Sequence, residues 1–401
     1  MRVGVFFPGF DPTSGGGYSF EYEILQALLE LFEESSHEFV IYLGTNSNDA
    51  KRPFPFTQKI QTHWITPSKS IGPVRMLLSQ TAGKLGWKNF IIIPDAPLQK
   101  AVERDNIQFM WFATSIFLPV EIPYIATVFD IQHRLQPWFP EVSRNGQWKF
   151  REEQYSSYLR RATYVITPNK TGQNELSFFY QIPQNRFHLL PHPVPRIEHF
   201  PLKEQIISAL QKYGLYKKFI FYPAQFWAHK NHINLLCALK ILNEKYNLDF
   251  DLVLTGSDQG NLSYVQSVAE NLKIRDQVHF LGFVSREELV ILYMSAFVLT
   301  YVTFFGPENL PPLEAFSCGC PVIASDIPGA EEQYGEAALR INPNSPEEIA
   351  LAIKKIHDDV QLRAELVTRG YARSKSFTSS DYVKKVFTII DDFQSIRINW
   401  E

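Results

Sequence analysis

Two charged side chains with the chemistry to hold a phosphorylated ligand follow strand-like runs of this chain. Lys230 stands in the turn after the apolar run Phe219–Phe226, where its ammonium group would present a fixed positive charge to phosphate oxygens. Glu314 follows the β-branched, aromatic run Ala296–Val302, and its carboxylate could accept two hydrogen bonds from the paired hydroxyls of a ribose. A glutamate at this position could also serve only to stabilise a helix start.

A second pair of candidate residues, Asp130 and His133, comes directly after the predicted buried strand Tyr124–Phe129. Ligands of open α/β sheets collect at the carboxyl ends of the strands, so both side chains would lie at that edge. Histidine can exchange a proton or hydrogen-bond a sugar near neutral pH, and an aspartate three residues away could orient it. A single loop histidine can also be purely structural.

Glycines and a helix start could bring main-chain amides to the same ligand. Gly16 and Gly17 end a run of three glycines between a predicted strand and the helix Tyr18–Phe32, which permits close approach of the backbone. The dinucleotide spacing GxGxxG is absent, so a flexible turn is the alternative. Asn309 is a good N-cap for a helix that begins near Leu310, with Glu314 in its first turn. The amides and positive dipole end of that helix favour an anion.

Length and composition restrict the class of protein. A chain of 401 residues is too long for one ordinary core, so we expect two domains of about 190 residues each. A formal net charge of −3 argues against nonspecific nucleic-acid binding. Three cysteines form neither a disulfide framework nor a zinc site, and no apolar run has the length of a membrane span. We therefore expect a cytoplasmic protein.

Strand-like runs alternate with helix-like runs along most of the chain, which predicts an α/β fold. The exception is the irregular stretch between Thr45 and Gly72. The proline-rich segment Pro191–Pro195 limits backbone freedom and is the best candidate for a domain boundary. We predict a first domain at 1–192 and a second at 193–379, with a hinge that lets the two close on a ligand.

The run NLPPLEAFSCGCPVIASD, residues 309–326, resembles the C-terminal signature of the retaining, nucleotide-sugar-dependent glycosyltransferases of family four. This resemblance implies the GT-B fold, in which two doubly wound, Rossmann-like domains face each other across a cleft. It also implies that the last helix, about 380–401, crosses back onto the first, acceptor-binding domain. The second domain would bind the donor, with Glu314 on the ribose.

The resemblance also implies roles for residues on both sides of the cleft. Lys230 and the amides of Gly16 and Gly17 would face the diphosphate, and Asp130 and His133 would take part in catalysis by positioning the acceptor or the sugar. The nucleobase would be recognised, largely through the backbone, near the end of a second-domain strand. The full set of implied donor-binding residues is Gly16, Gly17, Gln225, Lys230, Gly282, Phe283, Val284, Glu308, Asn309, Leu310 and Glu314.

Three positions depart from the family pattern. Gln225 replaces an arginine that helps the lysine bind the diphosphate, and Phe129 replaces a histidine that contacts the donor sugar. Gly306 replaces a glutamate that often contacts that sugar, which leaves sugar recognition to groups such as Glu308 and Asn309.

The reaction implied by the resemblance is transfer of a hexose, with retained configuration, to a saccharide or lipid-linked glycan in polysaccharide biosynthesis. UDP-glucose is the donor that family frequency favours, and neither a metal nor a cofactor is implied. Residues Ile71–Lys88 would form either a core helix or a peripheral membrane contact. Two alternatives stay open, a noncatalytic sugar-nucleotide-binding protein and a GT-B-fold UDP-sugar epimerase.

Overall fold

The computed structural model describes residues 1–9, 16–45, 59–66, 95–197, 199–306 and 308–400. The predicted segment Ile71–Lys88 lies outside these ranges, as does the first glycine of the run that precedes Gly16. The described residues form two parallel sheets, each packed between helices, and the predicted α/β class is confirmed.

The first sheet has the strand order β3-β2-β1-β4-β5-β6-β7 in the described part of the chain. Its strands are β1 (Arg2–Phe7), β2 (Glu38–Gly44), β3 (Gln61–Ile65), β4 (Phe109–Phe112), β5 (Tyr124–Thr127), β6 (Tyr164–Thr167) and β7 (Phe187–Leu189). The second sheet has the order β10-β9-β8-β11-β12-β13. Its strands are β8 (Phe219–Pro223), β9 (Asp251–Thr255), β10 (Val278–Gly282), β11 (Val298–Tyr301), β12 (Val322–Ser325) and β13 (Ala338–Ile341).

Helices connect most of the successive strands, as parallel pairing requires. In chain order they are α1 (Gly16–Leu31), α2 (Ala96–Arg104), α3 (Gln132–Leu135), α4 (Pro140–Ser143), α5 (Gln147–Tyr158), α6 (Lys170–Tyr180), α7 (Lys203–Lys212), α8 (His232–Tyr246), α9 (Leu262–Asn271), α10 (Arg286–Ser295), α11 (Leu310–Ser317), α12 (Ala330–Tyr334), α13 (Pro346–Asp358), α14 (Val360–Ser374) and α15 (Ser379–Arg397).

Burial on both faces explains why the central strands lack an alternating pattern. Every residue of β4, β5, β11 and β12 is buried, as expected for parallel strands that helices cover on both sides. The terminal helix α15 packs on the first sheet, where the Phe387 ring stacks on Phe39 with centroids 5.2 Å apart and Phe393 stacks on Phe109 at 4.3 Å. The C-terminus of the chain therefore completes the core of the first half.

Two expectations about strands were wrong. The stretch Thr45–Gly72 was expected to be irregular, but its described part contains β3, which pairs with β2 at the edge of the first sheet. The strand predicted to reach Phe129 ends at Thr127. It ends early because the Phe129 amide donates to the Ser115 hydroxyl, 2.9 Å away, rather than to a neighbouring strand. The predicted domain boundary falls between the two sheets and stays a prediction.

Candidate active site between the two domains

The first residues of α1 and α11 lie next to each other across the cleft. A Cβ atom added to Gly16 would lie 3.7 Å from Cδ1 of Leu310. Gly17 follows on the exposed side of the same helix start. The first amides of a helix have no partner within it and carry the positive end of the dipole, so the two starts together favour an anion. The structure thus brings Gly16, Gly17 and Leu310 into one place.

The start of α11 differs in two details from the prediction. Asn309 precedes the helix, but its side chain does not cap it and instead donates to the Gly306 carbonyl, 2.9 Å away. The side-chain amide of Gln333 forms two hydrogen bonds with the main chain of Asn309. Its Oε1 accepts from the Asn309 N–H at 2.9 Å, and its Nε2 donates to the Asn309 carbonyl at 2.8 Å. Glu314 is the fifth residue of α11 and lies beyond the first turn, because Leu310 and the two prolines occupy that turn.

Glu314 is held against the neighbouring helix α10. Its Oε2 atom accepts a hydrogen bond of 2.6 Å from the Tyr293 hydroxyl, and burial raises the pKa of its carboxyl. One oxygen is therefore positioned by the protein while the carboxyl keeps capacity to accept from a ligand.

Lys230 lies in the turn after β8, and it is a partly buried cation of the site. Its Nζ donates to the Tyr301 hydroxyl at 2.9 Å, from the strand β11 that neighbours β8. Burial lowers the pKa of Lys230 to about 8, although the charges of Glu141 and Asp130 from the first domain oppose this change. A partly buried ammonium group that donates to a neutral hydroxyl is suited to receive an anionic ligand.

Asp130 lies at the carboxyl end of β5 and forms a partly buried ion pair with Arg151 of α5. Oδ1 is 2.5 Å from Nη2 of Arg151 and also accepts from the Gln132 amide at 2.9 Å. Burial opposes ionisation of Asp130, but Arg151 and this amide hold the pKa of the carboxyl below its usual value. Asp130 is therefore a fixed negative charge at the cleft.

His133 was predicted to position a ligand, but its environment differs from the one that this role suggested. Its ring is fully buried, and Nε2 lies 3.1 Å from the Tyr180 hydroxyl and 3.3 Å from Oε2 of Glu152. Burial lowers the pKa of His133 to about 4, so the ring is neutral at neutral pH. Arg134 also pairs with Glu152. These residues form a network inside the first half, through which His133 could only support Asp130 indirectly.

Glu308 connects the second half of the chain to the predicted hinge. Its buried carboxyl accepts a hydrogen bond from the His192 main-chain N–H, and burial raises its pKa well above the ordinary value. The His192 ring packs edge-on against Phe129, with centroids 4.8 Å apart, and lies 5.1 Å from Phe20. A histidine ring from the hinge thus lies beside Phe129, the position where the family pattern has its own histidine.

The remaining predicted donor-binding residues follow β8 and β10 of the second sheet. Gln225 contacts Ser257 and Trp227 through its side-chain amide, at 3.2 and 3.0 Å. Gly282 ends β10 with a φ of +67°, a conformation that favours glycine. Phe283 is exposed while Val284 is buried, so a ligand at this turn would meet the backbone and one free aromatic ring.

The match of residues 205–373 to the family model described as "Glycosyl transferases group 1" covers this donor-side half of the site. The chain is a glycosyltransferase, and residues 205–373 are the part that matches group 1. The matched residues include the turn with Lys230 and the helix with Glu314, the two positions that first indicated a phosphorylated ligand. The family expected from the sequence is therefore confirmed.

Relatives of this glycosyltransferase include proteins named for O-antigen assembly. It is 25% identical over 278 residues to O-antigen chain mannosyltransferase B of Escherichia coli, covering 69% of this chain and 72% of that protein. It is 28% identical over 198 residues to O-antigen chain mannosyltransferase RfbU of Salmonella typhimurium, covering 49% of this chain and 52% of that protein.

The fold of the glycosyltransferase is shared with solved structures along its whole length. Sucrose-phosphate synthase of Thermosynechococcus elongatus superposes with a TM-score of 0.73 at 16% identity, covering 99% of this chain and all of that one. The predicted GT-B fold, with two Rossmann-like domains, is confirmed. At this identity the likeness concerns the fold alone.

Sequence reasoning missed the residues of the glycosyltransferase that join its two halves. Glu141 of α4 accepts from the His229 amide at 2.8 Å and from the ring of the same histidine. Phe139 stacks on Phe304, with centroids 5.6 Å apart. No signal in the sequence could identify these pairs, because their members lie far apart along the chain. The ring of His229 is therefore engaged with Glu141.

Two features are absent from the described ranges. No three His, Cys, Asp or Glu side chains in that part of the glycosyltransferase are grouped closely enough to bind a metal ion together. No helix within the same ranges combines the length and the apolar character needed to cross a membrane.

Proposed function

We propose that this glycosyltransferase moves a hexose from a nucleotide-diphosphate sugar to a saccharide or lipid-linked glycan acceptor, with retained anomeric configuration and without a metal or cofactor. The observation that carries the proposal is the position of Lys230. Lys230 is a partly buried cation that donates to a neutral hydroxyl. It lies in the same domain as α11, and the start of α1 faces that helix across the cleft.

Departure of the diphosphate is the step that these groups would assist. As the bond between the anomeric carbon and the phosphate oxygen breaks, negative charge grows on the diphosphate and positive charge grows on the sugar ring. Lys230 and the first amides of α1 and α11 would stabilise the negative charge in a site of low dielectric constant. Because they are positioned before the reaction, they need little reorganisation during it.

The acceptor oxygen then bonds to the anomeric carbon on the face that the phosphate leaves. Its proton would pass to the departing phosphate oxygen, so no side chain needs to serve as the general base. Asp130 is held ionised by Arg151 and lies within electrostatic range of Lys230, which suits it to position the acceptor or the sugar. Glu308 and Asn309 would contact the transferred sugar from the start of α11.

The identity of the donor belongs to this proposal. Family frequency favours UDP-glucose, whereas the names of both reported relatives favour a mannosyl donor such as GDP-mannose. Incubation with both sugar nucleotides and a panel of p-nitrophenyl hexosides, followed by chromatography, distinguishes them. We expect acceptor-dependent release of one nucleoside diphosphate and a new disaccharide.

A noncatalytic binding role has two observations in its favour. The Glu308 carboxyl is engaged by the hinge, and Gln225 offers no charge to a diphosphate. Binding of a sugar nucleotide without any turnover would support this second function. Interconversion of the sugar without transfer would instead indicate an epimerase.

Location completes the proposal. Cys237, Cys318 and Cys320 are all free thiols, and the last two are buried, which fits a reducing compartment. We extend the proposal to a cytoplasmic enzyme with peripheral contact at the inner membrane face, where a lipid-linked glycan would be presented.

Glu314 gives a prediction about the ribose. Replacing it with alanine should raise the Kd for GDP or UDP about tenfold or more, because hydrogen bonds to a charged group contribute about 1.5–3 kcal/mol each. Calorimetry with nucleoside diphosphates and with their 2′,3′-dideoxy forms measures this directly. Wild type should prefer the ribose form, and Glu314→Ala should bind both forms equally.

The control for this prediction is Tyr293→Phe, which removes the hydroxyl that holds Glu314 but keeps the carboxylate. We expect it to retain most of the ribose preference. If Glu314→Ala still prefers the ribose form as strongly as wild type, the ribose assignment is wrong.

A further inference from the structure

A cavity of about 690 Å³ lies between the two halves of the glycosyltransferase, beside the predicted donor site. Gln132, Trp138 and Glu175 line it from the first domain, and Phe304 and Asn342 line it from the second. Its volume falls within the range of about 300–1,000 Å³ that is typical of small-molecule sites. None of these five residues belongs to the predicted donor-binding set.

The order of the strands places this cavity on the sugar side of the diphosphate. Residues 282–284 follow β10 at one end of the second sheet, and Lys230 follows β8 near its middle. The loops that line the cavity, 304–306, 326–328 and 342–344, follow β11, β12 and β13. In a sugar nucleotide the diphosphate separates the nucleoside from the sugar. A nucleoside near β10 and phosphates near Lys230 therefore direct the donor sugar towards the β11 side of the sheet, where a saccharide held in the cavity would lie next to its anomeric carbon.

Polar atoms of the cavity walls lack protein partners. Gln132 is only 6% exposed, and its Oε1 atom has no hydrogen-bond partner. Oε2 of Glu175 is also buried and without a partner. Burial and then the nearby charge of Asp130 raise the pKa of Glu175 to about 7, so its carboxyl can either donate or accept near neutral pH. Buried polar atoms of this kind are costly unless a ligand or water pairs with them.

Aromatic rings provide the apolar part of the same cavity. Trp138 is 70% exposed although it is a large aromatic side chain, and it lies beside Phe139, with ring centroids 6.3 Å apart. Phe139 in turn stacks on Phe304 of the second domain. A hexose ring has an apolar C–H face and a rim of hydroxyl groups, so it matches a surface that combines aromatic faces with amide and carboxyl groups.

Interdomain contacts on both sides hold the walls at this separation. Glu141 binds His229 on one side. On the other side the Glu332 carboxylate accepts from the first amides of α6, Lys170 N at 2.8 Å and Thr171 N at 3.1 Å. Glu175 lies one turn further along α6. The cavity is therefore a defined part of the closed arrangement.

We propose that this cavity binds a hexose ring of the saccharide acceptor, with Trp138 beneath the ring and Gln132 and Glu175 on its hydroxyl groups. The first domain supplies these three side chains, whereas the donor contacts come mainly from the second. The proposal rests on the proposed transferase function and names the part of the site that selects the acceptor.

The test uses the full-length enzyme, its preferred sugar nucleotide and p-nitrophenyl hexosides and hexobiosides as acceptors. Because Trp138 is exposed, Trp138→Ala should fold normally, and we expect its KM for the acceptor to rise about tenfold or more, as for truncation of an aromatic anchor. Glu175→Gln should raise the same KM by a smaller factor. The KM for the sugar nucleotide, and its slow hydrolysis without acceptor, should stay within about twofold of wild type. Trp400→Ala, another exposed tryptophan that does not line the cavity, is the matched control and should leave every value unchanged.

Direct binding separates failure of this inference from failure of the proposed function. Saturation-transfer NMR with the same saccharides, without donor, should show binding to wild type and to Trp400→Ala but not to Trp138→Ala. Saccharide binding that Trp138→Ala leaves intact, or a rise in donor KM instead of acceptor KM, overturns the acceptor assignment. Absence of saccharide binding by wild type also overturns it. Loss of sugar-nucleotide binding and hydrolysis in the wild type would instead refute the proposed function.

Discussion

Replacing Lys230 with methionine is expected to lower kcat by about 10²–10³-fold, the loss seen when one preorganised group that stabilises a developing negative charge is removed. The variant should bind nucleoside diphosphate much more weakly than wild type and the nucleoside about equally well. The protein should remain folded, because methionine fills similar space and removes a buried charge. Steady-state kinetics and calorimetry with nucleoside and nucleoside diphosphate measure these effects.

The pH dependence of binding gives an independent measurement of the same residue. Burial lowers the pKa of Lys230 to about 8 in the free enzyme, against the opposing charges of Asp130 and Glu141. A bound diphosphate favours the charged form and raises this pKa again. Binding at pH 8 should therefore take up about half a proton, and affinity should fall as the pH rises above 8. Calorimetry in buffers of different ionisation enthalpy detects this uptake.

Matched variants make the outcome specific. Lys230→Arg keeps the charge but should show no proton uptake near pH 8, and Lys218→Met, an exposed lysine of the same domain, should behave as wild type. Lys230 does not face the diphosphate if its replacement weakens nucleoside and nucleoside diphosphate equally. Proton uptake that persists in Lys230→Met would lead to the same conclusion.

Replacing Asp130 with alanine is expected to have the second largest effect, on stability as well as on activity. Arg151 would be left without its carboxylate, and its side chain is only 20% exposed. Removing one partner of a fully buried pair costs about 3–5 kcal/mol, so we expect about 2–3 kcal/mol for this partly exposed pair. Urea denaturation of Asp130→Ala, Arg151→Leu and the double variant should show that the two losses are not additive.

The surface pair Lys217–Asp249 is the control, since its atoms lie 2.6 Å apart but both side chains are more than half exposed. Asp249→Ala should lower the free energy of unfolding by less than about 1 kcal/mol.

The pKa of Asp130 is lowered in the folded protein, so the contribution of Asp130 to stability is present above the ordinary pKa of 3.8 and is lost as the pH falls below it. Additive losses in the double variant would show that the two groups do not act as a pair.

Local pattern was enough to predict the order of strands and helices. The helix that begins at Leu310 is confirmed because two consecutive prolines fit only a first helical turn. Lys230 lies in the predicted turn because a short buried strand precedes it and an amphipathic helix follows. Strand ends were less accurate, as at Thr127, because the Phe129 amide donates to the Ser115 side chain of another loop.

The residue types and spacings by themselves determined the α/β class, the family signature and the positions of Lys230 and Glu314 after their strands, since each depends on neighbours within a few residues. Only the tertiary structure decided which side chains pair across the molecule. Asp130 binds Arg151, 21 residues later, and Glu141 binds His229, 88 residues later. The tertiary structure also places Gln132 and Glu175 in one cavity with loops of the other domain. These contacts depend on how two separately folded sheets meet, and no periodicity along the chain encodes that meeting.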